Sequence, residues 1–246
     1  MRIVSWNANY NNKKRRTLAD NISLVAPLHP DLVVLSETSD EANEGSGARI
    51  VGHSSPVLAV VPFNGFSIRP LSPVGNAPPL AGFFDVSGPR HFTLGAIWPI
   101  QKKTGPRYAS LLTAMLAHFA TELSSAPLIL TGDFNSNTAV VGQERSHPKL
   151  ISRLEQAGLS SAYHHQSGEK HGRETLATFV QGKKSPKRFH IDYCFASSDL
   201  LPACTVAIPQ SSAWLGLSDH FPLIIDVPDA AFRTSGDKRA RSNRPR

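Results

Sequence analysis

Cysteine is scarce in this chain of 246 residues: Cys194 and Cys204 are the only two, and no Cys-His pattern has zinc-finger spacing. A disulfide-built scaffold is therefore excluded, and both thiols are expected to be reduced, small apolar groups at strand ends. Long apolar runs are also missing, since none approaches the roughly 18 residues of a membrane span. No apolar stretch precedes the basic cluster that ends at Arg16, so no signal peptide is read. The expectation is a cytoplasmic protein with no membrane partner and no obligate protein partner. Repeats and low-complexity tracts do not occur, and no Gly-x-Ser-x-Gly elbow surrounds Ser218. With 40% hydrophobic and 18% charged residues, the composition is that of a globular domain large enough to build its own core.

Acidic charge is in short supply, at 19 Asp plus Glu against 26 Lys plus Arg, for a net charge of +7. Most of that excess is local. The segment from Phe232 to Arg246 carries six basic residues and one acid, which leaves the remainder at only +2. Lys13 to Arg16 and Lys183 to Arg188 form two further basic clusters, which a solvated surface explains equally well unless phosphate chemistry lies nearby. Residues 1–228 read as one domain and residues 229–246 as a basic, disordered tail.

Hydrophobic periodicity gives alternating strands and helices. Arg2 to Trp6 and Leu32 to Ser36 are strand-length runs, and between them Leu18, Ile22 and Val25 recur at helical spacing, a β-α-β opening. Val57 to Val61, Ala81 to Val86 and Phe92 to Trp98 read as an antiparallel meander, with Pro70 to Pro79 as a turn. A helix is expected over Arg107 to Leu123, with Leu111, Met115 and Phe119 as its core stripe, and another over Leu150 to Ala157. Further strands are expected at Leu128 to Thr131, Ala177 to Val180, Phe189 to Ala196, Thr205 to Ile208 and Leu223 to Val227.

Polar residues sit at the ends of these strands. Asn7 follows the first, Glu37 the second, and Asp133 and Asn135 follow Leu130-Thr131-Gly132; Asp219-His220 precedes the last strand. Asp192 lies between Ile191 and Tyr193, where burial is costly unless the carboxylate is paired. If these ends share one rim, four carboxylates and a histidine converge. Such a set repels itself unless a cation is present, and an oxygen-rich donor set suits Mg²⁺ or Mn²⁺.

In this order, the pieces Ser5-Trp6-Asn7, Ser36-Glu37, Gly132-Asp133-Phe134-Asn135, Ile191-Asp192-Tyr193 and Ser218-Asp219-His220 resemble the endonuclease/exonuclease/phosphatase superfamily, over residues 1 to about 228. The resemblance implies a DNase I-like α+β fold: a four-layer α/β sandwich in which two packed mixed β-sheets are flanked by helices, with the site in a groove at one edge. It further implies that Glu37, with Asn7 and Asp219, holds the metal. His220 would stand near the scissile phosphate with Asp192 fixing its tautomer. Asp133 would orient or deprotonate the attacking water and Asn135 would bond a phosphate oxygen. Asn7, Asn135, His164 and Arg188 are the candidate substrate contacts.

The implied activity is hydrolysis of nucleic acid, DNA first, by a divalent-metal phosphodiesterase. A phosphatase or phosphodiesterase for a small ester, such as a nucleotide or phospholipid head group, is the alternative; a non-catalytic nucleic-acid-binding protein ranks behind both. One departure stands out. Many relatives carry a Tyr or His after the strand ending at Trp98, where this chain has Ala96-Ile97-Trp98-Pro99-Ile100. That leaves His164, His165 or His171 as replacement proton donor, or a metal-bound water, or an easier leaving group. The Gln that precedes the metal-binding Glu in abasic-site endonucleases is replaced by Ser36, which argues against that specificity.

Overall fold

Fourteen strands and six α-helices are set out in a computed structural model that describes residues 1–10, 15–41, 47–52, 54–71, 81–101, 104, 107–125, 127–182 and 184–232. Lys13, Lys14, Lys183, most of the Pro70–Pro79 turn and the tail from Arg233 onward lie outside the described residues.

Strand β1 (Arg2–Asn7) leads through helix α1 (Leu18–Val25) to β2 (Leu32–Thr38), which pairs with β1 in parallel, the expected opening. The helix begins where Thr17 and Asp20 cap each other, the Thr17 side chain accepting from the Asp20 N–H and the Asp20 side chain accepting from the Thr17 N–H. Adding β3 (Arg49–Val51), β4 (Val57–Pro62), β13 (Thr205–Ala207) and β14 (Leu223–Asp226) completes a sheet in the order β13-β14-β1-β2-β4-β3. A second sheet contains β5 (Ser67–Pro70), β6 (Ala81–Ser87), β7 (Phe92–Ile97), β8 (Leu128–Asp133), β9 (Leu159–Ser161) and β12 (Asp192–Ser197), in the order β5-β6-β7-β8-β12-β9. Its one parallel pair, β7 and β8, is bridged by α2 (Tyr108–His118) and α3 (Ala120–Leu123).

Alternation along the strands makes the layers. Ile3, Leu32, Val34, Leu58 and Val60 of the first sheet meet Phe84, Leu94, Ile129, Cys194 and Ala196 of the second in one buried core. Their neighbours point outward: Val4, Trp6, Val33 and Leu35 pack on α1, while Phe83, Leu130, Tyr193 and Phe195 pack on α2 and α4 (Ser146–Gln156). Strands covered on both faces explain why the sequence shows continuous apolar runs rather than alternation. The result is the expected sandwich of two mixed sheets flanked by helices. Cys194 and Cys204 are both buried and free. Among the described residues no helix is long and apolar enough to cross a membrane.

Some expectations fail locally. The segment from Val57 to Trp98 is not one meander, because β4 pairs with β2 and β3 while β5, β6 and β7 run antiparallel in the other sheet. The stretch from Phe189 to Ala196 is not one strand. Its first residue, Phe189, ends β11 (Lys187–Phe189), which forms a separate ribbon with β10 (Phe179–Gln181). The break falls at His190 and Ile191, where the Thr178 hydroxyl accepts from the N–H groups of both Ile191 and Asp192 in place of a ladder carbonyl. The expected helix over Arg107 to Leu123 divides at Phe119 into α2 and α3. Helix α5 (Ala162–Ser167), helix α6 (Ser212–Leu215) and the short strands β3, β5 and β9 have no counterpart in the sequence reading. Residues 229–232, assigned to the tail, form a turn that brings the Phe232 ring within 5.4 Å of Phe92.

Gly132 sets how close β7 and β8 approach just before Asp133. At its φ of +143° an added Cβ would stand 1.9 Å from the Ile97 carbonyl oxygen. Gly132→Ala should therefore destabilise the fold by at least about 2 kcal/mol. Urea denaturation checks this, and an unchanged midpoint would contradict it.

Candidate active site

Strand polarity brings the polar strand ends to one edge. Because β1 and β2 are parallel, Asn7 and Glu37 emerge at the same end; because β12 and β14 run antiparallel to β8 and β1, Asp192 is registered with Asp133 and the segment Asp219-His220 arrives beside Asn7. Asn7 continues the inward series Ile3, Ser5; Asp133 continues Ile129, Thr131; and Asp192 continues Ala196, Cys194. All three reach into the gap between the sheets. Glu37 joins them by a different device: the register shifts between Leu35 and Thr38, and Glu37 takes a φ of +50°. A bulge of this kind re-aims one side chain without ending the strand.

Hydrogen bonds tie the group together. The Asn7 Nδ2 donates to Glu37 Oε1 at 3.0 Å and to Asp133 Oδ2 at 2.9 Å, so one amide links the two sheets. Asp133 also accepts from the backbone N–H of Asn135 at 2.8 Å and from its Nδ2 at 3.0 Å. Asp192 Oδ2 lies 2.9 Å from His220 Nδ1, with the two side chains only 4% and 6% exposed. Donor atoms of Asp133, Asp192 and His220 all fall within 4.8 Å of one another. Asp219 connects through Asn9, whose Nδ2 donates to Asp219 Oδ1 at 2.7 Å and whose N–H donates to Asn7 Oδ1 at 2.9 Å. The backbone beneath His220 is equally fixed: Trp6 Nε1 donates to its carbonyl, and Ser218 Oγ accepts its N–H while donating to the Asn7 carbonyl.

The electrostatics follow from burial. Loss of water pushes Asp133 up to about 7, reinforced by the charge of Asp192. Glu37 is raised as well, chiefly by burial, against the pull of the Asn7 hydrogen bond. For His220 burial alone favours the neutral ring, but Asp192, with Asp133 and Asp219 behind it, overrides that and holds the imidazolium to about 10. The donor set is thus several carboxylates around one cation, all but the imidazole offering oxygen. That chemistry fits a hard divalent ion.

Not every candidate joins this group. Arg188 lies exposed on β11, donating to Gln210. His164 is held instead by Ser161 and Glu174, with its ring stacked 3.6 Å from that of His171. Arg16, read as part of a basic phosphate-facing cluster, is partly buried and donates to the carbonyls of Ala8 and Leu217. One residue was missed. Tyr108, the first residue of α2, is half-buried, and its phenol is raised by burial and then by the charges of Asp133 and Glu37. The reading of the loop stopped at Ile100, eight residues before it. A cleft of about 590 Å³ lined by Arg107, Tyr108, Gln143 and Ser146 adjoins the group, and Gln143 Nε2 donates to the Asn135 carbonyl.

Crowded buried carboxylates predict a stability cost that a metal ion would relieve. Glu37→Gln keeps an acceptor for Asn7 and removes a charge, so in EDTA it should be more stable than wild type by on the order of 1 kcal/mol. Urea denaturation in EDTA checks the sign; a less stable variant would contradict it.

Known proteins share this architecture. The 3' phosphatase NExo from Neisseria, bound to a product DNA hairpin, superposes with a TM-score of 0.68 at 16% identity, covering 93% of this chain and 99% of its own. The 3'-5' exonuclease NExo from Neisseria meningitidis gives 0.67 at 18% identity, covering 92% and 99%. An AP endonuclease from Archaeoglobus fulgidus gives 0.65 at 14% identity, covering 92% and 99%. No curated protein matches the sequence significantly. The family model described as Endonuclease/Exonuclease/phosphatase family matches residues 4–220, and the chain belongs to that family of phosphoester hydrolases.

Proposed function

We propose that this protein is a Mg²⁺- or Mn²⁺-dependent phosphodiesterase that hydrolyses nucleic acid, with DNA as the preferred substrate. The observation that carries this reading is the hydrogen-bonded series Glu37–Asn7–Asp133–Asn135 set against the His220–Asp192 pair. Glu37, with Asn7 and Asp219, would hold the ion, whose chemistry when bound would be neutralisation of charge on the phosphoryl oxygens. Asp133 accepts a hydrogen bond from water, aligns it for in-line attack on phosphorus and takes the proton that the water loses. Asn135 donates to a phosphoryl oxygen. His220 uses Nδ1 on Asp192, which leaves Nε2 as the donor to a second phosphoryl oxygen, and this charge-assisted hydrogen bond strengthens as the transition state gains negative charge. Tyr108, the half-buried phenol at the start of α2 that feels the charges of Asp133 and Glu37, supplies the leaving-group proton for which the sequence offered no Tyr or His near Trp98.

Nucleic acid is favoured over a small ester on two grounds. Structural neighbours include the NExo phosphatase bound to a DNA hairpin and a zebrafish (D. rerio) TDP2 complexed with single-strand DNA product. The basic tail adds a salt-dependent attraction for a polyanion.

The test incubates the protein with supercoiled plasmid, single-stranded DNA and a p-nitrophenyl phosphate ester, each with Mg²⁺, Mn²⁺ or EDTA. Metal-dependent cleavage of DNA is expected, abolished by EDTA. Asp192→Asn and His220→Ala should each lower the rate at least about 100-fold, and Tyr108→Phe about 10-fold or more. Rates within a few-fold of wild type would overturn the assigned roles, and cleavage of the small ester alone would overturn the substrate.

A further inference from the structure

On the outer face of the second sheet, opposite Asp192, imidazoles converge on one carboxylate. The Tyr193 ring separates the two places: it belongs to the outer layer, while its neighbour Asp192 faces the gap between the sheets. Packed near this ring are His147 from α4, His164 from α5 and His171 from the loop that follows α5. His164 Nε2 lies 3.1 Å from Glu174 Oε1, His171 Nδ1 lies 4.0 Å from the same oxygen, and His147 Nε2 lies 3.1 Å from His171 Nδ1.

We propose that His164, His171 and Glu174, with His147 beside them, form a second metal site, separate from the catalytic group and built for a tetrahedral ion such as Zn²⁺.

The distances suit that ion. Bonds of about 2.0–2.1 Å arranged tetrahedrally place neighbouring donor atoms about 3.3–3.4 Å apart. Three separations in the structure bracket this value, at 3.1, 3.1 and 4.0 Å. Donor atoms of His164, His171 and Glu174 all lie within 4.8 Å of one another, and His147 Nε2 stands beside this group, 3.1 Å from His171 Nδ1. Two imidazole nitrogens and one carboxylate oxygen, with a fourth position left open, are a zinc donor set, unlike the oxygen-rich group around Glu37.

Groups behind the donors are in place too. Ser161 Oγ stands 2.8 Å from His164 Nδ1, and Ser136 Oγ stands 2.9 Å from His147 Nδ1. A hydroxyl either donates or accepts, so each serine can hold the tautomer that directs Nε2 to a metal. Asn137 Nδ2 and the Gly172 N–H orient Glu174, donating to Oε1 and Oε2 at 2.9 Å each. Burial lowers His147 to about 4 and, with its neighbouring imidazoles, His171 to about 3, so both enter as the neutral rings that coordination requires. For Glu174 burial works the other way, but the hydrogen bonds from His164 and the backbone outweigh it and hold the carboxylate at about 2.

The site would act as a clamp. It joins α4, α5 and the loop that ends at Thr178, whose hydroxyl accepts the Asp192 N–H and whose carbonyl accepts the Phe221 N–H. Loss of the ion should therefore loosen the backbone on both sides of the Asp192–His220 pair without removing either residue.

To test this, the whole protein is stripped with a chelator and titrated with Co²⁺ and then Zn²⁺. The expected result is one tightly held Co²⁺ with the intense visible bands of tetrahedral coordination, displaced by Zn²⁺. Glu37→Gln should retain the bands; His171→Ala and Glu174→Gln should lose them while keeping the circular dichroism of wild type. Should those variants fail to fold, X-ray absorption of the Zn²⁺-loaded wild type decides, since the proposed site supplies at least two imidazoles and the catalytic group only His220. Tetrahedral bands that survive His171→Ala, or a spectrum with one imidazole or none, would overturn the proposal.

Discussion

Carboxylates buried side by side repel, and the edge of this sandwich holds Asp133 and Asp192 in register on adjacent strands, with Glu37 one amide away. Two groups make that arrangement tolerable. The His220 imidazolium balances part of the charge, and the Asn7 amide gives hydrogen bonds to two carboxylates at once. Both supports come from the first sheet or the segments feeding it, whereas Asp133 and Asp192 belong to the second. The packing of the two sheets and the assembly of the site are therefore one event. A residual excess of negative charge remains, and it accounts for the divalent ion we assign to this group.

The rest of the fold serves that edge by direction rather than by contact. Each sheet contains one parallel pair, β1 with β2 and β7 with β8, and each pair needs a helical crossover on the outer face. Those crossovers supply α1 on one outer face and α2 with α3 on the other, where α4 joins them. Trp6 shows how tightly the parts are joined: its ring packs on the outer side of the first sheet, while its indole N–H holds the carbonyl of His220.

Much of this was legible in the sequence. Apolar runs of strand length ending in Asn7, Glu37 and Asp133 carry their own direction, and a carboxylate between Ile191 and Tyr193 demands a partner. Short edge strands such as β3 and β9 have too few residues for any period to register. The break between β11 and β12 depends on the hydroxyl of Thr178, more than ten residues away, which no local pattern reveals. Tyr108 was overlooked because the helix it opens was read from its apolar stripe, and the carboxylates that mark it out approach only in three dimensions. The histidine cluster is invisible for the same reason: His147 and His164 lie on different helices and meet only around Glu174 and His171.

The central claim is that the carboxylate edge exists to hold a divalent ion. Crystals of the protein grown with Mn²⁺ and measured at the manganese absorption edge test it directly. The account predicts an anomalous peak at about 2.1–2.2 Å from a Glu37 oxygen, inside the group bounded by Asn7, Asp133 and Asp219. A fully occupied ion elsewhere on the molecule, with no peak at Glu37, would contradict it.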